Sequence, residues 1–166
     1  REFNIMEPSF KHNYTDKEEA YIYFIKEFAT MIDGESEEIS VLANASAALR
    51  QAFGHFWTGF YIVKNDMLIL GPFQGDVACS RIRKGKGVCG TAWEKAETIV
   101  VEDVDKFPGH IACSSASRSE IVVPLLCGDD VRAVLDIDSD KLATFDDTDK
   151  FYLEQVAQII SRNIYK

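Results

Sequence analysis

Residues 119–139 read SEIVVPLLCGDDVRAVLDIDS, and this stretch decides the fold. Two apolar runs, Glu120 to Leu126 and Arg132 to Ile137, flank Gly128-Asp129-Asp130. Branched apolar residues on either side of a Gly/Asp turn predict an antiparallel hairpin. Asp136 and Asp138 alternate with Ile137, so both point to one face. With the turn centred on Asp129, Glu120 falls opposite Asp138, and Asp136 lies one step deeper. Asp136 also follows Ala133-Val134-Leu135 directly, where a strand favours Val or Ile. Acids meeting on one sheet face repel unless they share a proton or hold a cation. Such a face is either solvated or functional, and the apolar neighbours favour a functional cluster.

Upstream, Thr15-Asp16-Lys17-Glu18 has the form of a capping box. Ala20, Tyr21, Phe24, Ile25, Phe28 and Ile32 continue as a helical stripe ending at Gly34. A second helix is expected from about Glu37 to Phe53, with Ile39, Leu42, Ala45, Leu49 and Phe53 inward and Gly54 closing it. The period then changes. Phe56–Val63 and Met67–Leu70 read as strands around Lys64-Asn65-Asp66, and Val77–Ile82 as a third. A short helix near Val88–Lys95 and a strand at Thr98–Val101 follow. Residues 103–118 have no period, and long aperiodic loops in compact domains are often functional. Phe145–Ile164 closes the chain as a helix with Asp146 or Asp147 near its positive end. Helices at both ends with strands between predict an α+β fold: an antiparallel sheet with helices on one face.

The chain has 166 residues and reads as one domain over 15–166. Residues 1–14 read as an irregular leader, with 1–5 a cloning scar ahead of Met6. The net charge of −9 and the lack of a basic run argue against nucleic acid. No apolar run approaches the ~20 residues of a membrane span, and no export signal is visible. A cytoplasmic setting is therefore expected, where thiols are kept reduced.

Four cysteines, Cys79, Cys89, Cys113 and Cys127, are too few for a disulfide scaffold in a chain this long. No CxxC or HxxxH spacing supports a metal site, so none is expected. Cys113 lies in Gly109-His110-Ile111-Ala112-Cys113-Ser114-Ser115, where it is either a bystander or a reactive thiol. His110 reads as structural and Cys127 as a bystander. Lys84-Gly85-Lys86-Gly87 matches a phosphate loop only loosely. Trp57, Gly59 and Tyr61 share one strand face. Core packing is the default for such rings, but Gly59 leaves room for something else to approach. A loop thiol, spare thiols, an acidic face and an aromatic wall suit a redox enzyme acting on a small cationic or zwitterionic molecule.

Seven stretches sharpen this reading. They are Trp57–Tyr61, Leu70–Gly75, Ala78-Cys79 with Arg81-Ile82, Gly85–Gly90, Phe107–Cys113, Ser119–Leu125 and Leu135–Ser139. In this order they closely resemble the free methionine-R-sulfoxide reductases, a family built on the GAF fold. The resemblance implies a six-stranded antiparallel sheet flanked by N- and C-terminal helices, with the pocket on the face away from those helices. It implies that Cys113 attacks the sulfoxide sulfur and that Cys79 then resolves the sulfenic acid as a disulfide. Cys89 would be an auxiliary thiol. Thioredoxin, fed by NADPH and thioredoxin reductase, would be the external reductant, with no bound cofactor and with a homodimer as the assembly. Glu120, Asp136 and Asp138 would supply a proton to the sulfoxide oxygen and hold the α-ammonium group, with Glu120 the favoured donor. Trp57 and Tyr61 would cage the S-methyl group. One departure stands out: Ser114 occupies a position that is commonly Asp in the family. The rival readings are a non-catalytic GAF sensor for a small effector and a thiol peroxidase. The acids would repel a phosphate-bearing effector, and a peroxidase needs neither the acids nor the aromatic wall.

Overall fold

The hairpin forms in the register that its alternation requires. In the computed structural model, which describes residues 9–166, the chain runs β1 (Trp57–Lys64), β2 (Met67–Gln74), β3 (Arg81–Arg83), β4 (Ile99–Val101), β5 (Ser119–Cys127) and β6 (Asp130–Ser139). Glu120 pairs with Asp138, and Val122 with Asp136. On the far side of β6, Trp57 pairs with Asp138 and Gly59 with Asp136. The six strands lie in the order β3-β2-β1-β6-β5-β4, antiparallel throughout. The β1–β2 turn uses Asn65 and Asp66, both at positive φ, as a two-residue hairpin requires.

Among the described residues, four α-helices accompany the sheet: α1 (Lys17–Ile32), α2 (Glu38–Phe53), α3 (Gly87–Lys95) and α4 (Asp147–Ile164). Strand alternation sends side chains to two separate cores. Phe60, Ile121, Val123, Leu125, Leu135 and Ile137 pack with the buried faces of α1, α2 and α4. Trp57, Tyr61, Val122 and Val134 pack with Val88, Ala92 and Trp93 of α3. Each fully buried large apolar side chain contributes about 1.5–3 kcal/mol. The three terminal helices therefore seal one face, and the acid-bearing face belongs to α3. Among the described residues, no helix is long and apolar enough to cross a membrane.

Several elements depart from expectation, each for a local reason. The N-cap of α1 is Asp16, which accepts from Glu19 N; Glu18 instead accepts the hydroxyl of Tyr152 on α4. Ile39 is 55 % exposed. The buried stripe of α2 runs through Val41, Leu42, Ala45, Ala48 and Leu49, and Ile39 lies about a third of a turn off its centre. Strand β2 continues beyond Leu70 to Gln74 because a bulge absorbs Gly71-Pro72. The third strand is only Arg81–Arg83, since the segment before it is held as a loop by other contacts. Within 103–118 a single 3-10 turn forms at Val104–Lys106. The leader is packed where it is described: Phe10 is buried against Phe24, and His12 Nε2 meets Ala52 O at 2.9 Å. The scar assigned to residues 1–5 lies outside the described residues.

The helical layer is tied by one buried carboxylate. Asp149 accepts from Lys17 Nζ at 2.6 Å, from Tyr21 Oη at 2.6 Å and from Asp146 N at 2.9 Å. The last contact completes a capping box at the start of α4. Nearby, the His55 ring sits between Phe53 and Phe145, with centroids 6.4 and 4.9 Å away. Burial pushes its imidazole down from 6.5 to about 4; Lys17 and Arg50 push the same way and Asp149 opposes them. The fold thus holds His55 neutral, whereas the unfolded chain protonates it. This destabilises the fold as pH falls from about 6.5 towards 4, by on the order of 3 kcal/mol when complete. His55→Phe should flatten the pH dependence of urea unfolding in that window. A variant profile as steep as the parent's would place the acid sensitivity elsewhere.

Candidate active site

The face of β1, β5 and β6 turned towards α3 carries one cavity of about 550 Å³, mouth included. Its floor is Glu120, Asp136 and Asp138; Trp57 and Tyr61 form one wall, and Lys86, Gly87, Val88 and Cys89 another. Trp57 stacks between Tyr61 and Phe73, with centroid distances of 6.1 and 5.1 Å. Trp57 donates its Nε1–H to Asp76 O at 3.0 Å, and Tyr61 donates its hydroxyl to Cys79 O at 2.9 Å. The wall residue Tyr61 therefore also fixes the loop that carries Cys79. The room that Gly59 leaves is taken by Phe73 of the neighbouring strand and by the Trp57 ring, rather than by the cavity.

Helix α3 reaches the cavity through the Lys84–Gly87 loop. Gly90 packs so closely on Arg83 O that a Cβ there would collide with backbone. Gly85 N donates to Gly90 O at 2.9 Å and Lys86 N to Arg83 O at 3.1 Å. This is a tight strand-to-helix turn. Lys86, the N-cap, makes no side-chain cap, so the first N–H groups of α3 are left for another acceptor.

Glu120 and Asp136 are each 6 % exposed, and Asp136 Oδ1 has no hydrogen-bond partner. Asp138 Oδ1 accepts from Ser117 Oγ at 2.8 Å. Burial, then the charges of Asp136 and Asp138, push the Glu120 carboxyl well above its ordinary range. Burial and Asp136 raise Asp138, against the pull of the Ser117 hydroxyl. Burial raises Asp136 as well, and contacts with Glu120 and Cys89 oppose it. Burial and then the three acids drive the Cys89 thiol up, so it stays protonated. The cluster thus stores protons at neutral pH. Ligand atoms of Cys89, Glu120 and Asp136 lie within 4.8 Å of one another, a spacing that could also accept a small cation.

At the mouth, Cys79 and Cys113 form a disulfide with Cα atoms 5.4 Å apart, within the ordinary range. Cys89 and Cys127 are free, Cys89 buried and Cys127 partly exposed. Trp57, Tyr61, Cys89, Cys113, Glu120, Asp136 and Asp138 all line the cavity, and Cys79 is bonded to Cys113 at its edge. His110, read from sequence as structural, lines the cavity too. Ser117 and Lys86 were not foreseen. Only their place in glycine- and serine-rich loops could have drawn attention to them. Ser114 Oγ accepts from Ala116 N at 3.2 Å, so the departure at this position is absorbed in a local turn.

Known proteins share this arrangement. The GAF domain profile matches residues 35–164. The chain is 52 % identical to GAF domain-containing protein A of Dictyostelium discoideum, over 87 % of this chain and 92 % of that one. It is 45 % identical to the free methionine-R-sulfoxide reductase of Escherichia coli strain K12, over 87 % and 88 % of the two chains. The X-ray structure of free methionine-R-sulfoxide reductase from Neisseria meningitidis, in complex with its substrate, superposes with a TM-score of 0.90 at 48 % identity, covering 92 % of this chain and 93 % of that one. A buried acid cluster, an aromatic wall and a mouth disulfide on this fold agree with these likenesses, and the chain belongs to the free methionine-R-sulfoxide reductase family of GAF-domain proteins.

Proposed function

We propose that the protein reduces free L-methionine-R-sulfoxide to L-methionine, with Cys113 as nucleophile, Cys79 as resolving thiol and thioredoxin as reductant. The observation that carries this reading is the Cys79–Cys113 disulfide at the mouth of a cavity floored by proton-holding acids. In the reduced protein the Cys113 thiolate attacks the sulfoxide sulfur. Glu120 protonates the sulfoxide oxygen, which is otherwise a poor leaving group. Oxygen passes to Cys113 as a sulfenic acid, and methionine departs. The Cys79 thiol then displaces that oxygen as water and forms the disulfide. Two electrons from an external dithiol, thioredoxin with NADPH and thioredoxin reductase behind it, restore both thiols.

The cavity supplies the selectivity. Asp136, with an unpartnered buried oxygen, and Asp138 hold the substrate's α-ammonium. The uncapped start of α3 takes the α-carboxylate. A methionine within a peptide has neither group. Trp57 and Tyr61 confine the S-methyl group, so one sulfoxide epimer points its oxygen at the acids.

NADPH consumption coupled through thioredoxin should therefore appear with the R epimer of the free amino acid and not with the S epimer. Cys113→Ser should abolish it. Equal use of both epimers, or turnover by that variant, would sink the mechanism. Cys79→Ser should release about one methionine per chain in a single turnover yet recycle poorly; unchanged steady-state turnover would refute its resolving role. Glu120 carries a further signature. Its folded pKa lies above the unfolded value, so at neutral pH the fold holds a proton that the unfolded chain releases, which destabilises the fold, and the effect fades as pH falls. Glu120→Gln should raise Tm at pH 7.5 by at least about 2–4 °C, the shift that ~1 kcal/mol gives a chain of this size, while kcat falls about 100-fold or more. A lowered Tm would show that the carboxyl group is structural.

A further inference from the structure

The proposed reaction leaves one buried thiol without a task. We infer that Cys89, Glu120 and Asp136 form a site for a zinc ion, and that zinc bound there competes with the sulfoxide substrate. The site stands on its own geometry; the competition rests on the function proposed above and deepens it.

The three donors sit on regular elements. Cys89 lies in the first turn of α3, Glu120 on β5 and Asp136 on β6. All three are buried, and one ligand atom from each lies within 4.8 Å of the others. Zinc takes sulfur at ~2.3 Å and oxygen at ~2.1 Å, so tetrahedral donors stand ~3.5 Å apart. The set therefore closes on an ion by shifts of about 1 Å. No spacing along the chain reveals it, because positions 89, 120 and 136 meet only through the fold. Asp138, whose Oδ1 accepts from Ser117 Oγ at 2.8 Å, stands outside the set.

A second observation points to a ligand at this spot. Asp136 is 6 % exposed and lines the cavity, and its Oδ1 has no hydrogen-bond partner. A buried carboxylate oxygen without a partner is rare and costly, and a bound cation satisfies it. The substrate's ammonium group satisfies it too but makes little use of Cys89, since a thiol sulfur accepts hydrogen bonds only weakly. A metal ion uses the sulfur and both carboxylates. The donor set selects among divalent ions. Magnesium and calcium take six or more oxygens, whereas one thiolate with two carboxylates suits zinc. Binding balances simply: the Cys89 thiol gives its proton to water, the sulfur donates an electron pair to the ion, and no electron is transferred. Glu120 and Asp136 both line the cavity, so an ion on them takes the place of the ammonium group and of the proton that the sulfoxide oxygen needs.

The test starts with the oxidised chain, whose disulfide occupies Cys79 and Cys113 and leaves Cys89 and Cys127 as the free thiols. Cobalt(II) is the optical probe. One equivalent should give a near-ultraviolet thiolate-to-cobalt charge-transfer band, and one equivalent of zinc should bleach it. Cys127→Ser should keep the band and Cys89→Ser should lose it. Asp136→Asn keeps the thiol and should weaken cobalt binding at least about tenfold, so the result does not hang on the folding of the Cys89 variant. Absence of the band, its survival in Cys89→Ser, or unchanged affinity in Asp136→Asn would each overturn the site. Competition is read on the pre-reduced chain in a single turnover. Zinc should slow methionine release at low sulfoxide and not at saturating sulfoxide, and Cys89→Ser should need at least about tenfold more zinc for the same slowing. Slowing that saturating sulfoxide does not relieve, or equal sensitivity in Cys89→Ser, would overturn the competition. Failure to release methionine without zinc, in a chain that shows the cobalt band, would remove the proposed reaction and leave the zinc site standing.

Discussion

Three carboxyl groups on one buried sheet face are the constraint on which the rest of the site depends. The antiparallel register brings Glu120 opposite Asp138 and sets Asp136 beside Val122, and burial forbids them all to ionise. The opposite layer of the same molecule shows what a satisfied buried acid looks like. Asp149 accepts from Lys17, Tyr21 and a backbone N–H, and it ties α1 to α4. One acid is used up in holding helices together; the others retain proton and acceptor capacity. A half-satisfied polar cluster is destabilising by itself, and such clusters are found where chemistry needs them.

The sheet can carry this load because its other face is fully committed. Branched and aromatic side chains from β1, β5 and β6 pack against three helices there. That leaves the α3 face open to loops. Each loop is fastened to the sheet by a bond that also belongs to the site: Tyr61 Oη to Cys79 O, and Ser117 Oγ to Asp138. The long loop is anchored at its end by Arg118 N to Ser139 O at 2.7 Å. The thiol-bearing segments are thus irregular in conformation but fixed in position relative to the acids.

How much of this is legible in the sequence follows from which forces act locally. The hairpin, its register and the shared face of Asp136 and Asp138 follow from period-two alternation and a Gly/Asp turn. The helices follow from apolar stripes and terminal glycines. What sequence pattern could not supply was tertiary. The bulge at Gly71-Pro72 lengthens β2, and the anchored Cys79 loop shortens β3. Ile39 lies off a stripe whose centre is defined only by packing. His110 and Ser117 stand in a segment with no period, so nothing local says which way they face. The Cys79–Cys113 pairing came from family resemblance; no spacing rule joins them across thirty-four positions.

Cys89 illustrates why position within one cavity decides the part a thiol can take. Its sulfur lies within 4.8 Å of carboxylate oxygens of Glu120 and Asp136. Burial and three neighbouring carboxyl groups keep it protonated, and a protonated thiol is a poor nucleophile. Cys79, on the loop between β2 and β3, is the thiol found bonded to Cys113. In the proposed reaction the same acids that activate the sulfoxide oxygen therefore silence Cys89. They leave resolution to Cys79, which separates the proton-rich end of the cavity from the disulfide at its mouth.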